Sequence, residues 1–356
     1  MVVDTSEIKD FRHCKRKWQL GSRNSFHLRP IVTPSAFKMG TVFHECLHKL
    51  YLGKDKEEVI KYLEGEMLTS DPKETLVLKS MVAGYAREVM PEDAVFNVLD
   101  IEHHFKIKPF DLLDDKGKEL AQQLANGARA DYFTDLEIAG SIDMIALNIE
   151  TNEVWGFEHK TAKNFRNSTY LWLDEQPRVY YAALQQWVDQ YNMKQHEDWA
   201  TKCTAMRDEY LQQYGHAVAE CEYTDVFKLK LPEEPAYPPA PPVVKLGGVY
   251  INEVRKLVRA FDYRRSVLKY PEDDLRNFML SFLTSCAECH KYATNEDIPR
   301  IPSPDMMTCQ TCQYNTICQT FQYQDLTKDK VLTEFKLEFE ERKQDHLDEK
   351  EEVSST

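Results

Sequence analysis

Apolar residues recur at helical spacing through roughly the first 90 positions and shift toward strand-like patterning beyond them. Thr5 and Ser6, followed by Ile8, Phe11, Cys14 and Trp18, predict a capped helix with one apolar stripe. A second helix is expected through Phe43, Leu47, Leu50 and Tyr51, entered after Gly40 and Thr41. Helical pattern continues over Glu57–Leu68 and Thr75–Met90, then turns toward strand over Val95–Ile107. Strands at Ala139–Leu147 and Val154–Lys160, joined by a polar turn at Glu150–Glu153, predict a β-hairpin. Leu171–Tyr191 reads as helix, Val243–Tyr250 as strand and Asn252–Tyr270 as helix. Leu231–Pro242 holds six of the 16 prolines and is expected to be an exposed connector rather than regular structure.

Composition narrows the class. The 356 residues are 42% hydrophobic and 29% charged, enough apolar material for one large domain or two modest ones. No apolar run is long enough to span a bilayer and Met1–Phe11 has no signal-peptide core, so a cytoplasmic protein without membrane contact is expected. Nine cysteines in such a chain point to metal or redox chemistry rather than a disulfide scaffold. The net charge of −14 speaks against a nucleic-acid partner until its distribution is considered. Lys9–Arg29 carries seven basic residues against Asp10 alone, whereas Val331–Thr356 carries nine acids against four bases. A cationic N-terminal segment on an acidic protein suits a phosphate-binding surface, or simply a solvated helix face. No GxxxxGK[ST] loop occurs, which excludes an ATP-driven motor of that type within the chain.

The candidate chemistry centres on the hairpin. Gly140-Ser141-Ile142-Asp143 lies on its first strand and Glu158-His159-Lys160 on its second. Strand alternation puts Glu158 and Lys160 on one face and His159 on the other. Two carboxylates on adjacent strands make a hard oxygen site for Mg²⁺ or Mn²⁺. A nearby lysine can orient water and stabilise developing negative charge, as phosphodiester hydrolysis requires. Downstream, Gln176 and Tyr180 stand one helical turn apart, able to hold a phosphate or buttress Lys160. Upstream, Gly40-Thr41-Val42-Phe43-His44 offers an imidazole ligand that would favour Mn²⁺. Phe165, Arg166, Tyr170, Trp172 and Arg178 could stack on and guide a single strand, though Tyr170 and Trp172 suit a core equally.

The ordered series GTVFH, GSID, EHK and QPRVY resembles the RecB-like nucleases of the PD-(D/E)XK superfamily, over about Ser6–Phe321. The resemblance implies a restriction-endonuclease-like α/β core, a mixed sheet flanked by helices, with helical N- and C-terminal segments joined by a metal cluster. It implies a metal held by His44, Asp143, Glu158 and the main-chain carbonyl of His159, with Lys160 catalytic and Gln176 and Tyr180 supporting. Ile142 departs from the proline in the superfamily's name. One nuclease domain over 1–330 and an acidic tail over 331–356 are expected. The activity implied is a DNA exonuclease acting on single strands or free ends in recombination, repair or replication, with a helicase or recombination partner in trans conceivable. A DNA-binding scaffold of the same fold is the alternative, but Asp143, Glu158 and Lys160 are all present, which favours catalysis.

Cys309, Cys312 and Cys318 form a CxxC-x5-C series, with Cys14 isolated in the basic segment. AddB-like relatives hold a [4Fe–4S] cluster with one N-terminal and three C-terminal cysteines, so the resemblance implies Cys14, Cys309, Cys312 and Cys318 as ligands. Spacing alone favours structural Zn²⁺ on Cys286, Cys289, Cys309 and Cys312. Cys46, Cys203 and Cys221 read as incidental thiols. Finally, His44-Glu45-Cys46-Leu47-His48 is a literal HExxH, the pattern of zinc metallohydrolases, for which Glu64 or Glu66 could supply a third ligand.

Overall fold

The computed structural model describes residues 1–32, 35–124, 133, 135–221, 236–257, 260–295, 298–300, 309–321 and 326–342. The chain begins with β1 (Val2–Val3), α1 (Thr5–His13), α2 (Lys15–Gly21) and β2 (Leu28–Pro30). Three helices follow: α3 (Ser35–Tyr51), α4 (Lys56–Glu66) and α5 (Pro72–Glu88). Next come β3 (Phe96–Ile107), α6 (Asp115–Leu124) and the hairpin of β4 (Glu137–Asn148) and β5 (Glu153–Ala162). α7 (Ser168–Leu173) and the 47-residue α8 (Glu175–Cys221) lead to β6 (Lys245–Arg255) and β7 (Tyr263–Leu268). α9 (Glu272–Thr294), α10 (Asn315–Phe321), α11 (Lys328–Glu334) and β8 (Phe339–Glu341) complete the described elements.

Six strands form one mixed sheet in the order β1-β4-β5-β6-β7, with β3 antiparallel along β4. β4 and β5 pair as the expected hairpin, and β5 and β6 run parallel through the α8 crossover. One sheet face packs Ile138, Val154, Val249 and Ile251 into the main core with α1, α8 and α9. The other carries Val254 into a second core built from Phe43, Leu47, Leu78 and Tyr85 of α3 and α5. This is the α/β architecture expected, a central mixed sheet flanked by helices.

Local chemistry moves several boundaries. Asp4, not Thr5 or Ser6, caps α1, accepting the Glu7 N–H at 2.8 Å. The expected single helix through Trp18 breaks at Cys14, whose backbone is extended and whose thiol caps α2 by accepting from the Lys17 N–H. α3 starts at Ser35, so Gly40 and Thr41 lie inside it rather than before it. Asp174 separates α7 from α8, where one helix over Leu171–Tyr191 was predicted. The predicted helix Asn252–Tyr270 is instead the end of β6 and the antiparallel β7. Alternation was hidden there because two polar residues, Asn252 and Glu253, are fully buried in β6. Their partners are arginines: Arg265 Nε donates to Asn252 Oδ1 at 2.8 Å, while Arg264 and Arg166 both bond Glu253.

Gly140 belongs to β4 because the backbone passes under Phe105, whose ring would stand 2.5 Å from a Cβ at that position. Within the proline-rich connector, 231–235 lie outside the described residues, and 236–242 have no regular structure. The acidic tail expected from 331 does not start there. Val331 and Phe339 are buried with Leu28, Tyr314, Ile317 and Phe321 in a third core, and β8 pairs antiparallel with β2. Apolar anchors thus bring residues up to 342 into the fold, while 343–356 lie outside the described residues. The two ends of the chain are therefore joined by a strand pair and a small core.

Candidate active site

The β4–β5 ladder stops at the pair Met144–Phe157, so the strands part immediately beside Asp143 and Glu158. The backbone N–H of His159 donates to Asp143 Oδ2 at 2.6 Å. From α3, His44 Nδ1 stands 3.3 Å from Asp143 Oδ1. Lys160 ion-pairs with Glu158 Oε1, and Gln176 Nε2 donates to the same oxygen at 3.3 Å and to the Tyr180 hydroxyl oxygen at 2.6 Å. Five predicted side chains from β4, β5 and α8 thus meet here, with His44 closing the group from α3. The His159 side chain points to the opposite face, as alternation requires.

Burial and charge set the protonation states. Burial pushes Asp143 up, but the hydrogen bond and charge of His44, with the His159 N–H, outweigh it and hold the carboxyl at about 2. His44 is opposed by burial, yet Asp143 and Glu158 raise it above its ordinary value. Lys160 is likewise raised, because Glu158 outweighs its burial. Glu158 goes the other way: burial and the Asp143 charge raise it to about 7 despite Lys160.

Nucleases of the kind this site resembles use Mg²⁺ or Mn²⁺, and the donor set fits a hard cation. Glu158 Oε2 is buried with no hydrogen-bond partner among the described residues, and a carboxylate oxygen so placed suits a cation. Among the described residues, no group of three or more His, Cys, Asp or Glu side chains converges as a metal-holding set. Here Asp143 is engaged by His44 and the His159 N–H, and Glu158 Oε1 by Lys160 and Gln176. A proton on Glu158 has to leave before a cation binds. The Mn²⁺ affinity of the metal-free protein should therefore rise with pH through about pH 7, as Glu158 and the His44 imidazole, itself raised by Asp143 and Glu158, give up their protons. Calorimetric titrations across that range check this; a flat profile would contradict it, and Glu158→Gln should make the slope shallower.

Several supporting residues have no sequence motif. Behind the sheet, His159 is buried between Tyr51, stacked at 6.0 Å, and Tyr85, whose hydroxyl lies 3.4 Å from His159 Nδ1. Asn252 donates to Tyr85 at 3.1 Å, and Arg265 connects Asn252 to Asp93, itself bound by Tyr51 at 2.6 Å. Burial keeps the His159 ring neutral, at about 3. This network fixes the strand between Glu158 and Lys160 from behind. Glu102 also escaped the sequence. It falls between the paired residues Ile101 and His103, opposite Asp143, with φ at +52°, and its carboxylate lies 3.3 Å from His48 Nδ1.

The zinc metallohydrolase alternative fails on geometry. His44 and His48 turn to different carboxylates, and Glu45 is held by the Tyr62 hydroxyl at 2.5 Å rather than beside them. The expected nucleic-acid guides also have other uses. Arg166 pairs with Glu253 and Asp174, Arg178 lies over Trp172, Tyr270 and Phe278, and Phe165 lies under Arg255 and Arg264. Tyr170 alone of that set is strongly exposed, at 72%. The basic N-terminal segment is largely neutralised within the fold: Arg12 by Glu175, Lys15 by Glu288, Lys17 by Asp10 and Arg29 by Glu340.

The cysteines sort into two groups. Cys286 and Cys289 are fully buried on α9 in the main core. Cys312 and Cys318 pack against the third core. Burial raises the Cys318 thiol to about 11, with Cys312, Cys14 and Cys309 each adding to the shift. Burial likewise raises Cys312, against Lys17 and with Cys14 and Cys309 adding. Cys14, Cys309, Cys312 and Cys318 therefore feel one another's charge, although among the described residues no three cysteines converge as a metal-holding set. Cys46 is a buried core thiol, Cys203 is half-buried, and the Cys221 side chain lies outside the described residues.

No curated protein matches the chain. The family profile of the PD-(D/E)XK nuclease superfamily matches residues 5–319, a span that contains His44, the β4–β5 hairpin and the α8 pair Gln176 and Tyr180. With the sheet and the parted hairpin already described, that match establishes that the chain belongs to the PD-(D/E)XK nuclease superfamily.

Proposed function

We propose that this nuclease is a RecB-like DNA exonuclease, with one nuclease domain that takes in residues up to 342 and an acidic segment after it. The observation that carries the reading is the meeting of Asp143, Glu158 and Lys160 where the hairpin parts, beside a Glu158 oxygen that has no hydrogen-bond partner among the described residues. Asp143, Glu158, His44 and the His159 carbonyl would hold Mg²⁺ or Mn²⁺. A cation bound there supplies Lewis-acid stabilisation of the phosphate and a more acidic water. Lys160 places its ammonium where negative charge develops on the scissile phosphate and orients the attacking water. Gln176 and Tyr180 hold Glu158 in position, and before a cation binds His44 keeps Asp143 ionised. Free ends or single strands in recombination, repair or replication are the proposed substrates, in the cytoplasm, with a helicase or recombination partner supplying any motor. No helix among the described residues is long and apolar enough to cross a membrane.

Linear and circular single-stranded DNA, each incubated with Mn²⁺, separate exonuclease from endonuclease. Loss of the linear form alone is expected; cleavage of both would replace exonuclease with endonuclease at the same site.

Cys14, Cys309, Cys312 and Cys318 would ligate a structural [4Fe–4S] cluster, a reading supported by the shared surroundings of their thiols. Anaerobically purified protein should be brown, with about four iron atoms per chain, and Cys318→Ser should lose both colour and iron. A colourless, zinc-loaded protein would contradict the cluster and leave the nuclease site untouched.

A further inference from the structure

One large apolar side chain on α3 faces mainly outward. Phe37 is 65% exposed. It lies seven residues before His44, and seven residues at 3.6 per turn return to nearly the same helix face, about 10 Å along the axis. Phe37 therefore shares the stripe that brings His44 to Asp143. Gly40 fixes the direction in which that stripe runs. A Cβ at Gly40 would lie 3.9 Å from Thr161 Oγ1, next to Lys160 on β5. With His44 over Asp143 and Gly40 over Thr161, the N-terminal turns of α3 reach toward the C-terminal end of β5, and Phe37 stands beyond it. Lys163 and Asn164, which leave that end of β5, are exposed as well. An exposed aromatic ring on α3 and an exposed lysine after β5 thus lie at the same end of the carboxylate site.

We propose that Phe37 is a stacking platform for a nucleobase of single-stranded DNA, with Lys163 taking a neighbouring backbone phosphate. The inference rests on the nuclease reading and adds the form of the substrate and the residue that reads it. In a duplex both faces of an internal base are already stacked, so a lone ring at the rim gains most from an unstacked base. Base–aromatic stacking also tolerates any sequence, and the flanking cation supplies affinity without base selection.

The test is made in a Lys160→Met background, which keeps the DNA intact during binding in Mn²⁺. Fluorescence anisotropy compares a labelled single strand with an abasic strand of equal length. Phe37→Ala should weaken binding of the normal strand about 5- to 150-fold, Phe37→Trp should retain it, and abasic binding should not respond to either change. Equal affinities for Phe37→Ala and its parent, or equal losses on both strands, would overturn the proposal while leaving Lys160-dependent cleavage standing. A parent that binds neither strand would overturn it too. Absence of cleavage by the wild type is a separate result, and it strikes the nuclease reading itself.

Discussion

Lys160→Met should lower the rate of Mn²⁺-dependent DNA hydrolysis by about 10²–10³-fold while leaving Mn²⁺ affinity within about threefold at pH 8. Methionine keeps the apolar stem of the side chain, so the loss isolates the ammonium. That ammonium now touches Glu158 and opposes the rise of its pKa to about 7. Removing it raises Glu158 further, which would mimic a binding defect near neutrality; at pH 8 the carboxylate is more fully ionised and the two effects separate. Single-turnover rates and calorimetric Mn²⁺ titrations on the same preparations provide the comparison. A variant that loses both metal affinity and rate would assign Lys160 to holding the site together rather than to chemistry.

Asp143→Asn should lose both, with the rate falling about 10³-fold or more, since it removes one of two carboxylates and with it several kcal/mol of charge stabilisation. The amide can still accept the His159 N–H that Asp143 Oδ2 takes at 2.6 Å, so the hairpin should remain folded. His44 supplies an independent readout. Burial opposes its protonation, and the bond and charge of Asp143 are the first of the forces that raise it. Neutralising Asp143 should lower the His44 pKa, which NMR titration of the imidazole follows without any DNA present. An unchanged His44 titration would mean that the two side chains do not interact as placed.

The hairpin was legible because its chemistry is local. Alternation, a polar turn and the Asp143 and Glu158-His159-Lys160 positions fix which residues share a face, and Gln176 and Tyr180 follow from helical spacing. The supporting residues were not legible, since each depends on contacts distant in sequence. Glu102 becomes Asp143's neighbour only through an irregular strand with a positive φ, and Asn252 and Glu253 look like solvent-facing residues until Arg265 and Arg264 are placed. Charge misled for the same reason: Arg12 suggests a phosphate-binding helix in sequence, but its partner Glu175 lies on α8. The HExxH match shows the limit of short patterns, because helical spacing holds while Glu45 turns to Tyr62. Cysteine spacing was ambiguous between two groupings, and that Cys286 and Cys289 lie in a different core from Cys312 and Cys318 is visible only in the fold.

Asp143, Glu158 and Lys160 are proposed as a cation-dependent phosphodiesterase centre. Its most direct measurement is the release of nucleotides from linear DNA by wild type and Lys160→Met, each in Mn²⁺ and in excess chelator. Release is expected from the wild type in Mn²⁺, with little in the other three conditions. Release that persists in chelator, or that Lys160→Met sustains at the wild-type rate, would contradict it.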